Sequence, residues 1–341
     1  MKPLSDLIPI LETPKIICIT HHYNADADAL GSSLGLYHYL QMKGHQVSVI
    51  CPNSIPDFLQ WMPGASELIL FDKQAERTKE VLQNCEILFS LDFNHFSRTK
   101  FLAPLLQNCN AVKVMIDHHL MPDLSFDYGL SLPSKSSTCE MVYDFIQAAG
   151  DDVLINETIA RCLYAGTMTD TGSFRFSSTT SSVHAMVARL MEKGLQTAPI
   201  HQAIFDNYRE NRLRFMGYVF TDRLEIISDA HAAIIAVSRQ DLNRFDINTG
   251  DTEGLVNYPL SLKEVVLSIF ISEREDEIRM SFRSKGKFDV NVFARNYFEG
   301  GGHLNAAGGK SLRSLSETLN KLKQHIQENK NQLQLCYNES F

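Results

Sequence analysis

The segment HHYNADADALGSS occupies positions 21–33, and two histidines and two aspartates crowd its front. Carboxylates this close repel one another and resist leaving water. His22, Asp26 and Asp28 therefore either stand in solvent or surround something positive. The same residue types recur along the chain: LDFN supplies Asp92, IDHH supplies Asp117, His118 and His119, and TMTDTGSFRF supplies Asp170. Singly, each has an ordinary role. Asp26 and Asp28 suit helix caps, Asp92 a turn at a strand end, Asp117-His118-His119 a solvated loop, and Asp170 a turn before Gly172. Gathered at one place without cations, they would form a strongly self-repelling site. The roughly four negative charges of Asp26, Asp28, Asp92 and Asp170 are what two divalent cations offset, with neutral histidines completing the shells. Oxygen and imidazole without thiolate favour Mn2+, with Mg2+, Co2+ or Fe2+ as the other candidates, over a structural zinc site. Two such ions roughly 3.5–4 Å apart can share a hydroxide and clamp a phosphoryl group for in-line attack.

The elements that must bring these residues together follow from apolar runs alternating with helical patterns. Strands are expected at 15–20, 46–51, 86–92 and 111–117, and helices at 28–43, 137–149, 155–167 and 182–193. In the first helix Leu30, Leu34, Tyr37 and Gln41 mark one face, with Leu36 and Leu40 flanking it. This alternation implies a doubly wound parallel α/β sheet covered on both faces. Three of its strands end in potential ligands, and open α/β sheets bind at the carboxyl ends of their strands. Residues 196–222 read as a helical linker. Beyond it, LEIIS with AAIIAVS and KEVVLSIFIS with EIRMSFRS suggest two hairpins, followed by an amphipathic helix near 314–329. The expected division is a metal-binding domain over 1–195, the linker, and a smaller α/β domain with a mixed sheet over 223–341.

Composition narrows the function classes. A chain of 341 residues has room for two cores. A net charge of −8 argues against charge-driven binding of long duplex nucleic acid but leaves room for a small anionic substrate in a local pocket. Seven cysteines, an odd number without a CxxC pair, read as free thiols. With no apolar signal core at the N-terminus and no run of membrane-spanning length, a cytoplasmic protein without membrane contact is expected.

HHYNADADALGS, LDFN, IDHH, SSTCE and TMTDTGSFRF resemble, in order, the motifs of the DHH phosphoesterase family, and GGGHLNAAGG resembles its DHH-associated second domain. The resemblance spans nearly the whole chain and is nearest in layout to the nanoRNase/pAp phosphatase branch. It implies that His22, Asp26 and Asp92 hold one metal and that Asp28, Asp92, His118 and Asp170 hold the other, with Asp92 bridging. Asp117 would then orient a histidine ring, and His119 would point at the substrate phosphate. SSTCE also fits a capping box, with Ser137 as N-cap and Glu140 closing it; the resemblance turns this helix start toward the site. Arg98 reads as a surface or outer residue.

In the second domain Gly301, Gly302 and His303 lie in a glycine-rich stretch whose N–H groups can approach an anion. Arg283, in MSFRSKG, is the candidate phosphate clamp; Lys285 and Lys310 read as solvated neighbours. The resemblance implies that this domain holds the nucleotide end of the substrate. The expected reaction is hydrolysis of short oligoribonucleotides to mononucleotides, or of pAp to AMP, by a metal-bridging hydroxide. A phosphodiesterase for linear or cyclic dinucleotides such as pGpG or pApA is the alternative. An inorganic pyrophosphatase is disfavoured, because that branch carries a Ser-Arg-Lys-Lys type motif where this chain has GGGH and SFRSKG. A processive exonuclease would bring an extra nucleic-acid-binding domain. A non-catalytic nucleotide sensor has no need of a complete ligand set. A homodimer stays open.

Overall fold

The structure is a computed structural model that describes residues 1–123, 125–248 and 250–340, so Phe341, the end of the expected second domain, lies outside the described residues. Two compact units divide the chain, Met1–Asn207 and Tyr208–Phe341. In the first, β1 (Ile16–His21), α1 (Ala27–Met42), β2 (Gln46–Cys51), β3 (Ile69–Leu70), α2 (Ala75–Asn84), β4 (Ile87–Leu91), α3 (Ala103–Gln107), β5 (Val112–Asp117) and β6 (Tyr128–Ser131) precede α4 (Thr138–Ala148), α5 (Glu157–Asp170), α6 (Ser181–Glu192) and α7 (Thr197–Phe205). The strands form one parallel sheet in the order β3-β2-β1-β4-β5-β6. Alternate strand residues serve two cores. Ile17, Ile19, Phe89 and Val114 pack with α1, α4 and α5, while Cys18, Leu88 and Met115 pack with α2 and α3. Burial on both faces explains why these strands read as unbroken apolar runs.

Two features of this unit depart from the sequence reading. The short strands β3 and β6 were not expected; β6, YGLS, lies at a sheet edge, where Lys2 bridges to Tyr128. The single apolar face expected for the first helix is too narrow. Tyr39 is as buried as Leu30 and Leu34, and Gln41 is exposed. Helix α1 is enclosed by the sheet, α4 and α5, so nearly every side of it is interior.

The second unit contains α8 (Glu210–Tyr218), β7 (Leu224–Ile227), β8 (Ala232–Val237), α9 (Arg239–Arg244), β9 (Leu267–Glu273), β10 (Ile278–Ser284), α10 (Val290–Tyr297), β11 (Gly301–Gly302), β12 (Ala306–Ser311), α11 (Leu315–Glu328) and α12 (Lys330–Ser340). The sheet order is β11-β12-β10-β9-β8-β7. Only β8 and β9 run parallel, so the two expected hairpins, β7–β8 and β9–β10, join into a mixed sheet. A third hairpin, β11–β12, occupies the glycine-rich stretch. The helical stretch between the expected domains is shared, α7 falling in the first unit and α8 in the second. All seven cysteines are free thiols and buried. Among the described residues no helix is long and apolar enough to cross a membrane.

Candidate metal centre

Strand order reverses direction at β1 and β4, the place where an open α/β sheet forms its crevice. His22 follows β1 and Asp92 follows β4, each one residue past its strand. Asp92 has φ +61°, in the left-handed region that a non-glycine residue enters at a cost, although aspartate tolerates it better than most. Asn24, Ser173 and Phe174 share that region, so three of the motif corners are strained.

Asp26 combines its two readings. It is the N-cap of α1, its Oδ1 accepting from the N–H groups of Asp28 and Ala29 at 3.1 and 2.9 Å. Its other oxygen lies 3.7 Å from His22 Nε2. That imidazole nitrogen also stands 3.2 Å from Asp92 Oδ2. On the far side of Asp92, His118 Nε2 lies 3.4 Å from Asp92 Oδ1, 3.7 Å from Asp28 Oδ2 and 3.5 Å from Asp170 Oδ2. The two oxygens of Asp92 are thus divided between two ligand clusters, His22–Asp26–Asp92 and Asp28–Asp92–His118, the second with Asp170 beside it.

The donor chemistry fits divalent cations. Both histidines turn Nδ1 toward a backbone carbonyl, that of Tyr23 at 3.0 Å for His22 and that of Lys135 at 3.3 Å for His118. A carbonyl only accepts, so Nδ1 carries the proton and Nε2 meets the carboxylates, the arrangement of a metal-ligating imidazole. The Nε2-to-carboxylate separations of 3.2–3.7 Å are long for hydrogen bonds. They suit donors on neighbouring corners of a cation with bonds of about 2.1 Å, whose corners stand roughly 3 Å or more apart.

Without a cation, protons must do the balancing. Burial alone would lower the His22 pKa, but the adjacent carboxylates of Asp26 and Asp92 raise it to about 10. His118 likewise rises against burial to about 10, through Asp92, Asp170 and Asp28. Burial and then the charge of Asp92 push Asp28 up to about 7. Asp170 is pushed well above the carboxylate range by burial and the charges of Asp28 and Asp26. Asp92, despite its burial, is held well below that range by His118 and His22.

The remaining expected residues are placed as follows. Asp117, at the end of β5, accepts from His119 Nδ1 at 2.7 Å, so the ring it orients is that of His119. Asp92, Asp117 and His119 form a further cluster. His21 is turned away, its ring meeting the His22 carbonyl and Cys51 Sγ. Asp170 is not in a turn. It is the last residue of α5, which runs three residues beyond expectation, and the Thr169 and Thr171 hydroxyls donate to carbonyls of its last turns. Arg98 is half-buried, and its carbonyl accepts from the Tyr23 N–H at 2.9 Å.

The capping box expected at SSTCE is half present. Ser137 Oγ accepts from the Glu140 N–H, as an N-cap should. The Glu140 carboxylate reaches the N–H of Ser136 instead of Ser137, at 2.9 Å. The residue that sequence reasoning passed over is Thr138, whose hydroxyl donates to Asp92 Oδ1 at 3.0 Å. The N–H groups of Thr138 and Cys139 donate to the two oxygens of Asp28 at 2.7 and 2.9 Å. Only the motif resemblance pointed at this helix start.

In the second unit Arg283 stands on β10 in register with Ala306, so the tight turn through His303 lies on the neighbouring strand. Its guanidinium donates to the Phe282 carbonyl at 3.0 Å. The glycines answer to packing. A Cβ on Gly302, whose φ is +158°, would fall 2.4 Å from the Ala306 carbonyl oxygen. The Gly302 N–H donates to the Asn291 side-chain Oδ1 on α10 at 2.9 Å.

Residues 16–167 match the DHH family, N-terminal domain, and residues 230–330 the DHHA1 domain. The chain is 29% identical over 313 residues to the bifunctional oligoribonuclease and PAP phosphatase NrnA of Thermus thermophilus, spanning 90% of this chain and 87% of that protein. It is 26% identical to the cyclic-di-AMP phosphodiesterase GdpP of Bacillus subtilis, over 94% of this chain and 48% of that one. The crystal structure of an exopolyphosphatase-related protein from Bacteroides fragilis matches with a TM-score of 0.92 at 36% identity, covering 97% of both chains.

Proposed function

Given that the chain belongs to the DHH family of metal-dependent phosphoesterases, we propose that it hydrolyses short oligoribonucleotides to mononucleotides and pAp to AMP. Similarity to the oligoribonuclease and PAP phosphatase of Thermus thermophilus supports the substrate class. The observation that carries the chemistry is the division of the Asp92 oxygens between two ligand clusters 3.2 and 3.4 Å away. We read it as a bridge between two cations, Mn2+ by preference because the donors mix carboxylate and imidazole. When bound, two divalent cations polarise phosphoryl oxygens and lower the pKa of a water.

The chain's own residues do the rest. His22 and Asp26 face one position, and Asp28, His118 and Asp170 the other. Asp117 holds the His119 ring by Nδ1, so Nε2 is the atom that meets the scissile phosphate. In the second unit Arg283 and His303 grip a phosphate that is not cleaved, Arg283 through charge-assisted hydrogen bonds. The proposed division is a catalytic domain over 1–195, a linker over 196–222 and a substrate-binding domain over 223–341. Seven buried free thiols support a reducing compartment, the cytoplasm.

Similarity to GdpP supports a second reading, phosphodiester cleavage of dinucleotides. The two separate in one experiment. Chelated protein is reloaded with Mn2+ or with Mg2+ and assayed on pAp, a five-nucleotide RNA, pGpG, cyclic-di-AMP and pyrophosphate. AMP from pAp, mononucleotides from the RNA and higher turnover with Mn2+ are expected. Dominant cleavage of cyclic-di-AMP moves the assignment to the second reading, and dominant cleavage of pyrophosphate removes both.

A further inference from the structure

Helix α4 begins against the carboxylates of the site, and its first residue is already relieved of the usual helix-start duty. Ser137 provides the cap, accepting from the Glu140 N–H at 3.0 Å. The fully buried Thr138 side chain therefore serves something else. Its hydroxyl donates to Asp92 Oδ1 at 3.0 Å, the oxygen that faces His118, and not to Oδ2, which faces His22. Its N–H and that of Cys139 take one oxygen each of Asp28, 2.7 and 2.9 Å away. The segment before the helix completes the arrangement, because the Lys135 carbonyl accepts from His118 Nδ1. That segment is anchored by Glu140, which receives Ser136 N–H and Oγ, Lys135 Nζ and Ser182 Oγ at 2.7–2.9 Å. One helix start thus touches Asp28, Asp92 and His118, three side chains from three other parts of the chain.

We infer that Thr138 is a positioning residue that orients Asp92 and Asp28 toward the second of two cation positions while leaving the first to His22 and Asp26. The inference rests on the two-cation reading above. Groups that hold metal ligands in place set affinity, and their loss typically costs ten- to a hundredfold, taken as an order of magnitude. Valine matches threonine in shape but lacks the hydroxyl, whereas serine keeps it.

The test uses full-length protein and Mn2+ alone. Free Mn2+ is followed by electron paramagnetic resonance during titration of the chelated wild type, Thr138→Val, Thr138→Ala and Thr138→Ser, and each metal-free protein is melted. The expected result is a first ion bound by all four within about threefold of one another and a second ion bound about tenfold or more weakly by Thr138→Val and Thr138→Ala. Thr138→Ser recovers the second ion. A valine variant that melts early leaves the alanine variant to carry the comparison, since alanine adds no bulk. Wild-type affinity for both ions in the valine and alanine variants overturns the inference, as does a serine variant as weak as valine. A wild type that takes up fewer than two ions instead brings down the two-cation reading, and the inference with it.

Discussion

At residue scale the site is a problem of proton and charge placement. His22 and His118 each give Nδ1 to a carbonyl and Nε2 to carboxylates. In the metal-free protein both pKa values rise from 6.5 to about 10, so both rings are protonated at neutral pH. A cation must displace those protons. Calorimetric titration of metal-free protein with Mn2+ at pH 7, in two buffers of different ionisation enthalpy, should therefore show net proton release. Affinity should rise as pH rises toward 10. The stability of the metal-free form has the opposite trend. The histidines contribute fully below about pH 6.5 and lose that contribution as pH approaches 10, and Asp28, raised from 3.8 to about 7, loses its contribution over that lower interval. Binding without proton exchange at pH 7 would mean that the imidazoles are neutral before the cation arrives.

At the scale of elements, the site depends on how closely three helices approach. Asp28 lies in the first turn of α1, Asp170 at the end of α5, and Thr138 at the start of α4. A carboxylate at a helix C-terminus meets the negative end of the dipole, so Asp170 is favoured there only by a neighbouring cation or proton. Gly166 on α5 makes the approach fit. A Cβ at that position would fall 2.4 Å from Cys139 Sγ, 2.7 Å from Asp28 Cα and 2.8 Å from Asp28 Oδ1. Gly166→Ala should cost about 1–3 kcal/mol through overpacking and should weaken Mn2+ binding, because Asp28 must move to admit the methyl. Urea denaturation and a Mn2+ titration of the same variant measure the two effects. Loss of stability with unchanged Mn2+ affinity would show that the helices yield elsewhere and leave Asp28 in place.

At the scale of the whole molecule, the carboxylates lie on one folding unit and Arg283 on the other. If Arg283 grips a phosphate remote from the scissile bond, its removal should spare metal content and weaken nucleotides selectively. Loss of a charge-assisted contact costs on the order of 1.5–3 kcal/mol, roughly ten- to a hundredfold in kcat/KM. Bis-p-nitrophenyl phosphate lacks a second phosphate, so its slow hydrolysis should fall much less in Arg283→Ala. Equal losses on pAp and on that ester, or loss of metal, would assign Arg283 to the chemistry or the fold.

In the amino-acid sequence, the edge at which the acidic and imidazole residues gather is legible. Apolar runs covered on both faces name the parallel strands, and ligands at the ends of β1, β4 and β5 must share the carboxyl edge of such a sheet. The two hairpins of the second sheet are legible as well, whereas their parallel junction at β8 and β9 is a tertiary contact. The tertiary structure decided what local patterns do not encode. His22 rather than His21 faces the carboxylates because the ring of His21 is drawn to Cys51, thirty residues away. The Asp92 oxygens divide because the chain turns left-handed there and a hydroxyl forty-six residues on takes one of them. Gly302 in β11 has no room for a Cβ because its partner strand approaches too closely, a Cβ there falling 2.4 Å from the Ala306 carbonyl oxygen. Residue type carries the chemistry of a ligand, whereas its rotamer, tautomer and free lone pair depend on hydrogen-bond partners that only the folded chain brings near.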